Sequence, residues 1–192
     1  MVPSPPPRAL LIASLAMLAL LLAAGSLLTG PTNYGPRELA AILTGTGDPL
    51  LRDILLDLRL PRALLGLLVG AMLGLAGAVL QGYLRNPLAE PSILGTSNAA
   101  ALGAVTALYF GLSQAQPALL PLLAIAGALI GLAPLLLLAR KAESPLSLIL
   151  AGIAVGTAAG AGISLALNLA PNPFAGMEIM SWLMGSLEDR SF

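Results

Sequence analysis

Two arginines three positions apart, Arg59 and Arg62, are the side chains of this chain best suited to hold a partner. If Pro61 opens a helix, both guanidinium groups leave it on similar sides. Planar forks of this kind suit the carboxylates of another protein, where they set register and on-rate more than raw affinity. The same side chains would also serve as snorkelling anchors at a membrane edge. Gln81 is an amide in an apolar run and needs company, either an interhelical hydrogen bond or a water-lined path. Beyond it, Arg85-Asn86-Pro87-Leu88-Ala89-Glu90-Pro91 interrupts the apolar pattern. Each proline pushes its predecessor out of helix, so a rigid turn capped locally by Asn86 is expected.

No catalytic constellation accompanies these groups. The carboxylates are scattered, with Glu38, Asp48, Asp53 and Asp57 in one loop and Glu178, Glu188 and Asp189 in the tail. None pairs with a nucleophile or base in a recognisable pattern. With 0 cysteines and 0 histidines, thiol chemistry, disulfides and the usual zinc or haem ligands are excluded, so no metal site and no cofactor is expected. Gly45-Thr46-Gly47 lacks the lysine of a phosphate loop. The chain is not expected to be an enzyme or to hydrolyse ATP. Nine cations balance nine anions, which leaves no basic field for nucleic acid.

The elements that position these residues are membrane helices. The chain is 57% hydrophobic and 9% charged with a mean hydropathy of +0.92, which places it among all-α integral membrane proteins. A spanning helix takes about 20 apolar residues, because lipid offers the backbone no hydrogen bonds. Five stretches qualify, at about 9–28, 61–83, 93–112, 118–139 and 146–169. The first, after Arg8, also has the look of a cleavable signal peptide, but its long apolar run and the four later spans favour a retained helix. Pro134 should kink the fourth unless neighbours satisfy the freed carbonyl. The polar loop 30–57 contains a short interfacial helix that begins near Pro36 and ends at Gly45 and Gly47. The tail 171–192 turns at Pro171-Asn172-Pro173 and continues as a short amphipathic piece around Met177 to Leu187, with Trp182 suited to the headgroup level.

Span two carries Gly66, Gly70, Gly74 and Gly77 on one helical face. Small residues let backbones approach closely, the main route to packing in lipid, so helix packing is the plainer reading and a smooth path wall the sharper one. Gly127 and Gly131, and Gly152, Gly156 and Gly160, repeat the device in spans four and five. Charge leaves orientation open: with a cytoplasmic N-terminus, four cations lie inside and five outside.

Several motifs in order resemble the FecCD type of ABC-importer permease. They are Arg59-Leu60-Pro61-Arg62, the Gly70/Gly74/Gly77/Gln81 helix, Asn86-Pro87-Leu88-Ala89-Glu90-Pro91, Leu94-Gly95-Thr96-Ser97-Asn98, Leu148 to Ala154, and Trp182 to Leu187. The resemblance implies import of an iron-siderophore, haem or vitamin B12 from periplasm to cytoplasm by alternating access. The chain would sit in the bacterial inner membrane with a cytoplasmic N-terminus. It implies docking of a periplasmic binding protein on Arg59 and Arg62, and a cytoplasmic gate of Asn86, Leu88, Pro145 and Leu146. Other implied partners are cytoplasmic ATPase subunits and a second permease subunit, commonly an identical one. Family members have ten helices, so five spans read as the N-terminal part of such a fold and the chain as a fragment continuing past Phe192. A scaffold subunit or non-transporting fragment is the alternative; a secondary transporter is disfavoured because no acidic residue lies inside any span. These 192 residues, reconstituted with a partner ATPase, should therefore give no uptake, as measured in proteoliposomes loaded with ATP.

Overall fold

The computed structural model describes residues 7–30, 35–139 and 145–187. Every regular element among them is helical. Two compact units share the chain, Met1–Gly74 with Leu187–Phe192, and Leu75–Ser186.

In the first unit, α1 (Arg8–Leu28) is apolar on every face and buries none of its residues, as a lipid-facing helix should. Helix α2 (Pro36–Leu43) has Pro at its start and Glu38 in its first turn, where the helix dipole favours an anion. It ends at Thr44, whose hydroxyl donates to Ala40 O at 2.9 Å, and left-handed Gly45 (φ 76°) follows. This is the short helix expected of the loop. Its Ile42 packs against Leu55 among Leu27, Leu39, Leu51 and Ile54.

The next helix starts earlier than Pro61. Asp48 Oδ1 accepts the Leu50 N–H at 2.9 Å and caps α3 (Pro49–Asp53), which passes through a π-helical turn (Ile54–Arg59) into α4 (Leu60–Leu84). The three form one helical run of 36 residues. Pro61 has no N–H to return to the preceding turn and would interrupt an α-helical ladder. In the wider turn, Leu60 N–H bonds Leu55 O five residues back, and the helix absorbs the proline instead of beginning at it.

In the second unit, a 3₁₀ turn (Pro91–Leu94) leads into α5 (Thr96–Tyr109), α6 (Leu112–Ala115), α7 (Leu119–Ala139), α8 (Pro145–Asn168) and α9 (Pro173–Met184). Helix α5 is central, packed by α7, α8 and α9, with Ala104, Val105 and Ala107 at 0% exposure. Helix α7 runs through Pro134 unbroken, with Leu135 beside it 1% exposed. Trp182 rests on the core cluster of Val105, Leu108 and Ile179.

Among the described residues, four helical runs are long and apolar enough to cross a membrane. The stretch 93–112 is the exception. Left-handed Gly95 (φ 67°) and Gly111 (φ 65°) bracket α5 at 14 residues, roughly 21 Å against a hydrocarbon core of roughly 30 Å. What it lacks in length it has in enclosure by its neighbours.

That enclosure depends on missing side chains. Lipid is as apolar as leucine, so helices cohere by close packing rather than by escape from water. A Cβ at Gly127 would strike the Ala99 carbonyl, and lies 3.1 Å from Gly103 Cα. One at Gly103 would strike the Leu123 carbonyl, and one at Gly152 would lie 2.8 Å from Leu94 Cα. Along α4 the space is open, with nothing within 4 Å of a Cβ at Gly70 or Gly74. Gly127→Leu should therefore cost about 1–3 kcal/mol by overpacking while Gly74→Leu costs little, as read by thermal unfolding in detergent. Equal shifts in the two variants would contradict this packing.

Candidate functional site

The arginine pair divides its work. Arg59 leaves the end of the π turn half-buried, and its Nη1 donates to Leu27 O at 2.9 Å. Leu27 lies in the last turn of α1, where carbonyls lack intrahelical partners and the dipole favours a cation. Arg62, one turn on, is exposed. Both line a cleft of about 920 Å³ between α1 and α4, whose walls are mostly alanine, leucine and glycine, including Ala19, Ala23, Gly66 and Gly70. Spacing alone places the two arginines together; the 32-residue link to Leu27 is tertiary and leaves no local signal.

The turn at 85–91 is held by its own hydrogen bonds. Helix α4 ends in a Schellman pair: Asn86 N–H reaches Gln81 O at 3.1 Å and Arg85 N–H reaches Gly82 O at 3.4 Å. The left-handed position falls on Arg85 (φ 50°) rather than on a glycine, a strained placement for a residue with a side chain. Asn86 Oδ1 accepts the Leu88 N–H at 2.9 Å, the local cap expected of it, and Asn86 O accepts the Ala89 N–H at 3.1 Å. Gln81 Nε2 donates to Ala89 O at 3.3 Å. The amide thus ties the helix to the turn that follows it. Ser92 Oγ donates to Glu90 Oε1 at 2.6 Å and closes the far side.

Behind the turn, Asn98 Nδ2 donates to Gly156 O at 3.2 Å, fastening the start of α5 to α8. Asn86 is exposed, Leu88 is 85% exposed and Leu146 60%. Ala142 to Ser144 of the second expected turn lie outside the described residues. Pro145 and Leu146 open α8. Gly77 meets only Pro91 Cδ, at 4.0 Å from an added Cβ, so the Gly70, Gly74 and Gly77 face is a smooth surface with little against it among the described residues. These groups fasten and shape the turn, and among the described residues no cluster of His, Cys, Asp or Glu could hold a metal ion.

The class these helices and motifs define is a transport permease, as known relatives show. Residues 16–192 match the model of the FecCD transport family, and the chain belongs to that family. It is 41% identical over 172 residues to the vitamin B12 import system permease protein BtuC of Salmonella newport (strain SL254), covering 90% of this chain and 50% of that protein. It is 40% identical over 155 residues to the uncharacterized ABC transporter permease protein YvrB of Bacillus subtilis (strain 168), covering 77% of this chain and 43% of that one. A solved structure of a metal-chelate type ABC transporter in an inward-facing conformation superposes with a TM-score of 0.81 at 32% identity. That match covers 95% of this chain and 55% of the other. The chain thus spans about half the length of the relatives it matches.

The turn gives the sharpest local test. Asn86→Ala removes the acceptor for Leu88 N–H and should cost about 1 kcal/mol locally, and Gln81→Met should loosen Ala89. Hydrogen exchange by mass spectrometry should show residues 86–89 exchanging several-fold faster in both variants. Unchanged exchange would mean that these bonds do not hold the turn.

Proposed function

We propose that this chain is the N-terminal half of a permease subunit in an ATP-driven importer. It would carry an iron chelate (siderophore or haem) or cobalamin from periplasm to cytoplasm across the bacterial inner membrane. The observation that carries the reading is the family match over residues 16–192, together with the shared fold over 95% of the chain. The activities for which the relatives are named, vitamin B12 import and metal-chelate type transport, support a large chelated-metal cargo. ATP hydrolysis would belong to separate cytoplasmic subunits, and a second permease subunit, commonly identical, would complete the path.

In this reading the N-terminus is cytoplasmic and the arginine end of α4 faces the periplasm. Arg62, exposed and fork-shaped, receives carboxylates of a periplasmic binding protein. Arg59 lines the same cleft while fastened to the end of α1, so a load on the docking site reaches two helices at once. At the other end of α4, Asn86 and Leu88 project from a stapled turn, and with Pro145 and Leu146 they form the cytoplasmic gate. The glycine face of α4 and the Gln81 stem lie along or beside the path, as an unreactive wall suited to a bulky chelate. Transport is alternating access, the gate opening as ATPase subunits shift the populations of two conformations.

Charge reversal tests the docking role. Arg59→Glu with Arg62→Glu in the full-length permease should lower uptake and binding-protein association at least about tenfold, with wild-type association weakening as salt rises. Arg62→Glu alone should keep the fold, since that side chain is exposed. Uptake and association equal to wild type in both variants would remove the arginines from docking.

A further inference from the structure

Aromatic side chains are scarce here, with three tyrosines and three phenylalanines in 192 residues. Three of these six tyrosines and phenylalanines, Tyr109, Phe110 and Phe174, line one cavity of about 450 Å³ in the second unit. It lies where α5 ends and α9 begins, with Gln114 and Asn172 also on its wall. The Tyr109 and Phe110 rings meet edge to face, with centroids 5.1 Å apart and planes at 79°. Both sides of the cavity are anchored. Tyr109 Oη donates to Leu169 O at 2.9 Å, and Asn172 Oδ1 caps α9 by accepting the Ala175 N–H at 2.9 Å.

Tyr109 rests partly on the core cluster, but the other two rings do not pack inside it, since Phe110 is 67% exposed and Phe174 81%. Glu178, exposed and one helical turn beyond Phe174, shares its side of α9. Among the described residues, the wall holds this one carboxylate and no lysine or arginine. Aromatic faces are negative at their centres and attract cations, and a carboxylate beside them adds a hydrogen-bonding counter-charge.

We propose that this cavity seats a cationic side chain, an arginine or lysine projecting from a protein that docks on the permease. Phe110, Phe174 and Tyr109 supply the aromatic faces, and Glu178 the counter-charge. The surface is the electrostatic complement of the arginine pair, an acceptor of positive charge where Arg59 and Arg62 accept negative charge. The partner's nature rests on the importer reading, which sets a binding protein on the side where α5 ends; the affinity for a cation does not.

The lone tryptophan, Trp182, lies one turn past Glu178 on α9 and reports on the site. Titration of the purified protein in detergent with Nα-acetyl-arginine amide should change Trp182 fluorescence saturably. The uncharged isostere Nα-acetyl-citrulline amide should not. Glu178→Gln should weaken the response about fivefold, and Phe174→Leu about threefold, in line with a partly exposed cation–aromatic site. Both side chains are exposed, and unchanged helicity by circular dichroism confirms that the variants fold. No saturable signal, equal binding of arginine and citrulline, or wild-type binding by both variants would overturn the site and leave only an interfacial aromatic anchor. Loss of the response in nanodiscs of phosphatidylethanolamine but not phosphatidylglycerol would give the seat to a lipid amine and overturn protein docking. In the full-length permease, Glu178→Lys should weaken binding-protein association; association unchanged there while Arg62→Glu abolishes it would overturn this docking surface and leave the importer reading standing.

Discussion

A polypeptide in lipid must satisfy its own backbone, and the rest of this structure follows from that requirement. At several places where the chain leaves regular helix, a side chain or a specialised turn takes up the exposed groups. The end of α1 receives Arg59, the start of α3 receives Asp48, and the end of α4 closes through a Schellman pair with Gln81 and Asn86 alongside. Pro61 would leave a gap in mid-helix, and the π-helical turn before it widens the ladder to step across. Three of the candidate functional groups, Arg59, Gln81 and Asn86, are among these closures: a residue already fixed by its role in satisfying the backbone is held in one place for any second role.

Within the second unit the backbone comes close to other backbone. Helix α5 is short and rich in alanine, and the glycines of α7 and, Gly160 apart, of α8 face it or the 3₁₀ turn before it. The α4 glycines are different in kind. They form as regular a stripe, yet have almost nothing against them among the described residues. Identical spacing thus serves occupied and open faces, and spacing alone does not tell them apart.

Composition and breakers made much of the fold legible. Helices α1, α2, α7 and α8 fall within a residue or two of their expected bounds, because apolar runs ended by Gly, Pro or polar clusters leave little choice. Two elements were not legible. Pro61 has the look of a helix start because prolines favour that place, and nothing local reveals a π turn that lets helix precede it. The 93–112 stretch has a span's composition, but Gly95 and Gly111 turn left-handed and shorten it to α5. Of the site, Asn86 was readable as a local cap. The reach of Arg59 to Leu27, of Asn98 to Gly156, and the gathering of Tyr109, Phe110 and Phe174 join residues distant in sequence, so they existed only in three dimensions.

Leu88 has a consequence of its own. It projects 85% exposed from a turn whose hydrogen bonds to Gln81 and Asn86 keep it from folding back onto its own helix. In water, a leucine so exposed would forgo about 1.5–3 kcal/mol that burial would return. The turn cannot recover that energy by itself, and only an approaching surface can. Facing water, such a loop would be rigid in shape yet open in solvation, and biased in advance toward whichever apolar neighbour comes to cover it.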